Sequence, residues 1–215
     1  MRHAATAILW SVVVLSADAL LIPRRTLLAG GIATPALAGR IARPAFAETE
    51  LLPRLELYGN VDQASCHKLV YELQKIEPVA HGLGQPICLH IQSSGGEVMP
   101  LLHVLDVIDG LRVPLYTFVE GYAASAASLL SVYGTKRFMT QRSYILIHEI
   151  RFSQSGTYSQ AAIETAHIGR MMDEMRGIYL KRTKLEKDSL DQLMQRDTWL
   201  DSAECLALGI VDAIR

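Results

Sequence analysis

The chain has 215 residues, half of them hydrophobic, and a net charge of −1, which fits one α/β or α+β domain with an additional segment. That charge is unevenly placed: residues 1–47 hold five Arg against one Asp, net +4, while the remainder holds 16 basic against 21 acidic side chains, net −5. A body of that sign lacks the basic footprint of a nucleic-acid binder, so no nucleic acid is expected among its partners.

In chain order, residues 4–17 form an apolar run after Arg2 and His3, too short to span a bilayer comfortably and of the length of a signal-peptide core. Arg24 and Arg25 then precede a mildly apolar stretch ending Ala45, Phe46, Ala47, similar to a twin-arginine export signal with an A-x-A end. We read 1–47 as an N-terminal targeting segment and 48–215 as the folded domain. The competing reading is a membrane anchor or a disordered tail. Two export-like segments in series fit a cleavable leader that delivers the protein to a plastid, the first choice, or to a bacterial periplasm.

Residues 55–58 alternate as a short strand, closed by the turn pair Gly59 and Asn60. The spacing predicts a helix over 62–76 with Asp62 as N-cap, and a loop from Pro78 to Pro86. A strand over 87–91 leads into Gly95 and Gly96. The next helix carries Val98, Leu101, Leu102, Leu105 and Ile108 on one stripe and stops at Gly110. A strand over 115–119 runs into Ser125, followed by a small-residue helix over 125–133. Short strands are expected over 137–140 and 144–148. A long helix over 159–182 places Ile163, Ile168, Met171, Met172, Met175 and Ile178 on a continuous apolar face, and helices over 189–196 and 202–208 follow. This alternation argues for stacked βαβ units, in which loops at strand C-termini collect functional groups. Three cysteines, Cys66, Cys88 and Cys205, show no ligand spacing; they give no disulfide framework and read as small buried hydrophobes. No metal motif is present among the seven His, and no metal or other cofactor is expected.

A serine nucleophile needs a base, a group that orients the base, and donors for the oxyanion. Ser125 sits where a strand turns into a helix, with free backbone N–H groups nearby. His148 ends the apolar run Ile145, Leu146, Ile147, Asp197 precedes Thr198 and Trp199, and Gly95 with Gly96 permits close approach of backbone to a substrate. Each alone has a bland reading: packing serine, structural histidine, helix-end charge, turn. Taken together, Ile-x-Ser-Ser-Gly-Gly, Gly-x-Ala-Ala-Ser, Ile-His and Gln-Arg-Asp occur in one order, with 23 residues from Ser125 to His148 and 49 from His148 to Asp197.

That series, and the ending from Asp197 to Asp212, resembles the proteolytic subunits of the Clp protease over about residues 54–215. The resemblance implies an α/β fold of the Clp/crotonase type, a spiral of ββα units with a long handle helix. It implies a serine endopeptidase in which Ser125 is the nucleophile, His148 the general base then acid, and Asp197 the orienter. Backbone N–H groups of Gly96 and Ala126 would form the oxyanion hole. Partners would be peptide or unfolded-protein substrates, other copies or paralogous subunits in a homo- or hetero-oligomeric double ring, and a Clp-type ATPase, which alone would use ATP. This sequence departs from the family pattern in several places. Ser94 stands where Pro is usual, and Glu149 with Ile150 stands for a Gln-Pro pair. Arg151, Phe152, Ser153 and Gln154 replace a glycine-rich loop, and Cys88 and His90 replace aromatics that dock the ATPase. We therefore expect weak coupling to an unfoldase and hydrolysis of short peptides without ATP. Alternatives are a catalytically weak or uncoupled ring subunit, an acyl-CoA hydratase of the same fold, and an exported peptidase with a Lys base, for which Lys136 is the nearest candidate.

The targeting segment makes a direct prediction: N-terminal sequencing of the protein from its native host should find a start near Glu48. A mature form retaining Met1 would overturn it.

Overall fold

The computed structural model describes residues 53–215; residues 1–47, read above as a targeting segment, and the expected processing site lie outside the described residues. Alternating apolar side chains form strand β1 (Arg54–Val61), with Leu55, Leu57 and Val61 buried. Gly59 and Asn60 do not close it. The strand continues through a register shift between Tyr58 and Asn60 and resumes pairing at Asn60↔Gly95 and Val61↔Gly96. The expected turn is thus a β-bulge, because a neighbouring strand remains available to pair with the amides beyond it.

Helix α1 (Gln63–Leu83) begins where predicted: the Ser65 amide donates to Asp62 Oδ1 at 2.8 Å and the Asp62 amide donates to Ser65 Oγ at 2.9 Å, a reciprocal capping pair. It ends later than predicted, since the stretch expected as a loop from Pro78 is helical to Leu83. A proline removes one amide donor and crowds the preceding turn. Here burial of Ala80 and a fork of Arg112 onto Glu77, at 2.7 and 3.2 Å, hold the last turns to the body. Gly84 and Gln85 then donate their amides to His81 and Ala80 carbonyls and close the helix.

Next come β2 (Ile87–Gly96), α2 (Val98–Asp109), β3 (Leu115–Ala124), α3 (Ala126–Ser131), β4 (Lys136–Met139) and β5 (Tyr144–Leu146). The chain finishes with α4 (Tyr158–Arg182), α5 (Lys187–Arg196), β6 (Trp199–Leu200), α6 (Ser202–Ala207) and β7 (Ala213–Ile214). Strands β1-β2-β3-β4-β7 form a parallel sheet in that order. Residues 87–91 are buried on both faces, as a covered parallel strand requires. The sheet forks at β3: residues Tyr116–Val119 pair with β4, while Tyr122, Ala123 and Ala124 pair with β5, and β5 pairs antiparallel with β6. This is an α/β fold consistent with the Clp/crotonase type, long handle helix included. No helix among the described residues is long and apolar enough to cross a membrane.

The apolar face expected along the whole handle helix is realised from about Ile168 onward. Met172, Met175 and Tyr179 are buried and Ile168 and Ile178 pack against the core, whereas Ile163 is 69% exposed and Tyr158 89% exposed. The reason is reach: the first turns of α4 run past the body. All three cysteines are buried and free.

His90 is buried and stacks on Phe118 at 4.7 Å, and Phe118 stacks on Phe138 at 4.8 Å, a row running across paired positions of β2, β3 and β4. His90 Nδ1 lies 2.7 Å from Glu120 Oε1, while Tyr58 donates its hydroxyl to Glu120 Oε2 at 2.8 Å. Burial lowers the His90 pKa, and Glu120 opposes this only in part. Burial prevails because the imidazole is almost enclosed, whereas the Glu120 carboxylate is about a third exposed and shared with Tyr58 and Arg54. The folded chain therefore resists a proton that the unfolded chain accepts near the ordinary imidazole value of 6.5, and stability should fall as pH drops through that value. His90→Phe, which keeps the stack, should show a smaller drop in Tm between pH 7 and 5.5 than the parent; equal drops would remove His90 as the cause.

Candidate active site

Strand β3 ends at Ala124, and the chain enters α3 through Ser125 at φ 55°, ψ −127°. Ser125 and Asp197 are the two non-glycine residues with positive φ among the described residues. Such conformations cost on the order of 1–3 kcal/mol and persist where the surroundings impose them. At Ser125 the surroundings are plain. Its amide donates to the Leu146 carbonyl at 2.9 Å, and its carbonyl accepts from the Ser128 amide at 2.9 Å and from Ser128 Oγ at 2.6 Å. The Ser125 hydroxyl makes no capping bond to α3, which leaves it free to face the cleft that it lines.

Ser128 is held from below by Tyr179 of α4, whose hydroxyl lies 2.7 Å from Ser128 Oγ. Because Ser128 gives its proton to the Ser125 carbonyl, Tyr179 is the donor of that pair. Tyr179 is fully buried, and burial pushes its phenol well above the ordinary value of 10.

Gly95 and Gly96 close β2 beside this turn. A Cβ on Gly95, at φ 85°, would stand 2.4 Å from the Ala124 carbonyl oxygen, 2.7 Å from Ser125 Cβ and 3.0 Å from the Ala126 nitrogen. A Cβ on Gly96 would stand 2.1 Å from the Val61 carbonyl oxygen. Main chain thus packs directly on main chain where a third atom would not fit, which is the reason for glycine at both positions.

His148 follows β5 by two residues, and the next amide, that of Glu149, donates to the Met194 carbonyl of α5 at 3.0 Å. Asp197 caps the C-terminus of α5 in the left-handed conformation. The two are thereby brought together: His148 Nδ1 lies 3.5 Å from Asp197 Oδ1, while the Arg151 guanidinium pairs closely with Asp197 Oδ2. The imidazole is almost enclosed, and the Asp197 side chain is 46% exposed. Burial, first, and then the Arg151 cation lower the His148 pKa; Asp197 and Glu149 oppose them. Ser125, His148, Gly95, Gly96, Glu149 and Arg151 line a single cleft of about 830 Å³.

The structure thus places Ser125, His148 and Gly96 on one cleft, Asp197 behind His148, and Ala126 at the start of α3 against Gly95. Lys136 lies elsewhere, on β4 with its ammonium 5.2 Å from the centre of the Tyr116 ring and outside the cleft lining, which removes it as a base for Ser125. Sequence reasoning missed the Ser128–Tyr179 support and the Arg151–Asp197 pair. A serine three residues beyond Ser125 was the available signal for the first; for the second, it was a basic residue three positions after His148.

Residues 51–215 match the family model for Clp protease, and the chain belongs to that family. It is 28% identical over 165 residues to the ATP-dependent Clp protease proteolytic subunit 1 of Protochlamydia amoebophila, covering 75% of this chain and 79% of that one. It is 26% identical over 160 residues to the ATP-dependent Clp protease proteolytic subunit 2 of Treponema denticola, covering 74% and 79%. The corresponding subunit 2 of Treponema pallidum is 26% identical over 157 residues, covering 72% and 78%.

The support beneath Ser125 should be asymmetric. Ser128→Ala leaves the Tyr179 hydroxyl buried without an acceptor and should cost about 1–3 kcal/mol. Tyr179→Phe leaves Ser128 its bond to the Ser125 carbonyl and should cost about 1 kcal/mol. Chemical denaturation of both variants and the double variant checks this; strictly additive and equal losses would show that the pair is not coupled.

Proposed function

We propose that this member of the Clp protease family is a serine endopeptidase, with Ser125 as nucleophile, His148 as general base then acid, and Asp197 as the residue that orients His148. The observation that carries the proposal is that Ser125 and His148, remote in sequence, line one cleft, with Asp197 behind His148 and its Oδ1 3.5 Å from His148 Nδ1. A carboxylate facing Nδ1 favours the proton on that nitrogen and leaves Nε2 without one, the tautomer a base needs.

In this reading Ser125 Oγ attacks the scissile carbonyl carbon as its proton passes to His148 Nε2. The carbonyl oxygen takes the negative charge, with the Gly96 and Ala126 amides as its donors, and the C–N bond then breaks as His148 returns the proton to the leaving amine. Water repeats the sequence on the acyl-Ser125 ester and frees the enzyme. The lowered His148 pKa supports the role of base at neutral pH, since the imidazole is then uncharged. The relatives are named as proteolytic subunits of an ATP-dependent protease, which supports a multi-subunit setting; we propose a ring-forming subunit that takes peptides directly and couples weakly to an ATPase partner. Cys88 and His90 are buried in the sheet, which supports weak coupling to that partner. Export with cleavage near Glu48 belongs to the same reading.

Ser125→Ala should abolish hydrolysis of a short fluorogenic peptide and labelling by a fluorophosphonate, by at least three orders of magnitude, while the assembly runs unchanged on a sizing column. Near-parent activity in the variant would remove Ser125 from the mechanism. In parallel, a tagged folded substrate offered with unfoldase and ATP should be degraded poorly by rings that cleave the peptide well; robust ATP-dependent degradation would overturn weak coupling.

A further inference from the structure

The geometry points to Arg151 as a positioning residue, which holds Asp197 by one carboxylate oxygen so that the other stays turned toward His148. This rests on the peptidase reading above for its consequence in catalysis, but not for its effect on His148.

Three observations carry it. Asp197 is nearly half exposed, on a helix end in the left-handed conformation. An exposed carboxylate with a single loose partner gains little from that partner and turns into water, and 3.5 Å to His148 Nδ1 is outside the range of a well-formed hydrogen bond. The Arg151 guanidinium engages the opposite oxygen, Oδ2, and leaves Oδ1 directed at Nδ1. The carboxylate thus has a cation on its solvent side, Arg151 with a side chain 73% exposed, and an imidazole on its buried side. The hold that matters is the direction it gives the carboxylate, since an exposed pair adds little to stability. Arg151 itself lines the cleft.

The arrangement has an electrostatic consequence. The charged groups acting on His148 are Asp197 and Glu149, which favour the imidazolium, and Arg151, which disfavours it. Part of the attraction from Asp197 is thus offset by the cation that positions it, and the base stays neutral to lower pH than a His–Asp pair alone would allow. A side chain with a purely structural role would not move the His148 titration in this way.

The experiment uses the full chain with Arg151→Ala and Arg151→Lys. Loss of the guanidinium should lower kcat on a short fluorogenic peptide roughly tenfold, below the ~100-fold that a 1 Å misplacement costs, with KM within about twofold. Because the attraction of Asp197 for the imidazolium exceeds the repulsion from Arg151, its loss when the carboxylate turns into water should move the acid limb of the kcat/KM profile to lower pH. The His148 resonance, assigned with His148→Gln and followed by ¹³C NMR of labelled histidine, should likewise titrate lower in Arg151→Ala than in the parent; a higher titration would show Asp197 in place without Arg151 and overturn positioning. Arg151→Lys should restore much of both effects. An unchanged kcat and an unchanged His148 titration would overturn the proposal. A change confined to KM would make Arg151 a peptide contact instead, and a rise in kcat would make it a brake that draws Asp197 away; either outcome overturns positioning. Failure of the parent to react with a fluorophosphonate would count against the peptidase reading, and the NMR comparison would still decide whether Arg151 acts on His148.

Discussion

Two main-chain hydrogen bonds hold the site together. The Ser125 amide bonds to the carbonyl of Leu146 and the Glu149 amide to the carbonyl of Met194, so the turn after β3, the end of β5 and the end of α5 form one framework. Neither bond would exist without the fork in the sheet. If β3 paired with β4 along its full length, no strand would run beside Ala124 to receive Ser125, and His148 would have no fixed origin. Because the pairing passes from β4 to β5 between Val119 and Tyr122, a second strand end is delivered next to the first. The antiparallel partner β6 then returns the chain from Asp197 along β5 through Leu146↔Trp199. Side chains separated by 72 residues are thus placed by backbone pairing, with side-chain contacts adding detail.

The same framework explains what could be read from the sequence. Elements built on local signals were legible: Asp62 as a cap, the stripe of α2 ending at Gly110, the strand 87–91, and the burial of the cysteines. Those set by tertiary context were less so. Pro78 and the pair Gly59 and Asn60 are strong local breakers, yet the chain runs through both because packing and strand pairing beyond them satisfy the backbone. The candidate site was legible only as an ordered set of motifs resembling the Clp proteolytic subunits, since each residue alone had a bland reading. What joins the set was not: the Arg151–Asp197 pair and the Tyr179–Ser128–Ser125 support cross between elements distant in sequence, and no periodicity or spacing within one segment encodes such contacts.

The support beneath Ser125 also gives the two ends of α4 different work. A helix of that length extends about 37 Å, and its buried end is tied through Tyr179 and Ser128 to the carbonyl of the residue proposed as nucleophile. Its other end carries Tyr158 and Ile163 in the open. Helices transmit displacement along their axis far better than loops do, because every turn is bonded to the next. In the proposed ring assembly, a contact on the exposed end would bear on the same helix that ends under Ser125. At that point the turn is already strained, at φ 55°, and a small shift of Ser128 changes the support of a conformation that the chain would not otherwise keep. Within the described chain, the link from α4 to Ser125 runs through two hydroxyl groups and one carbonyl oxygen.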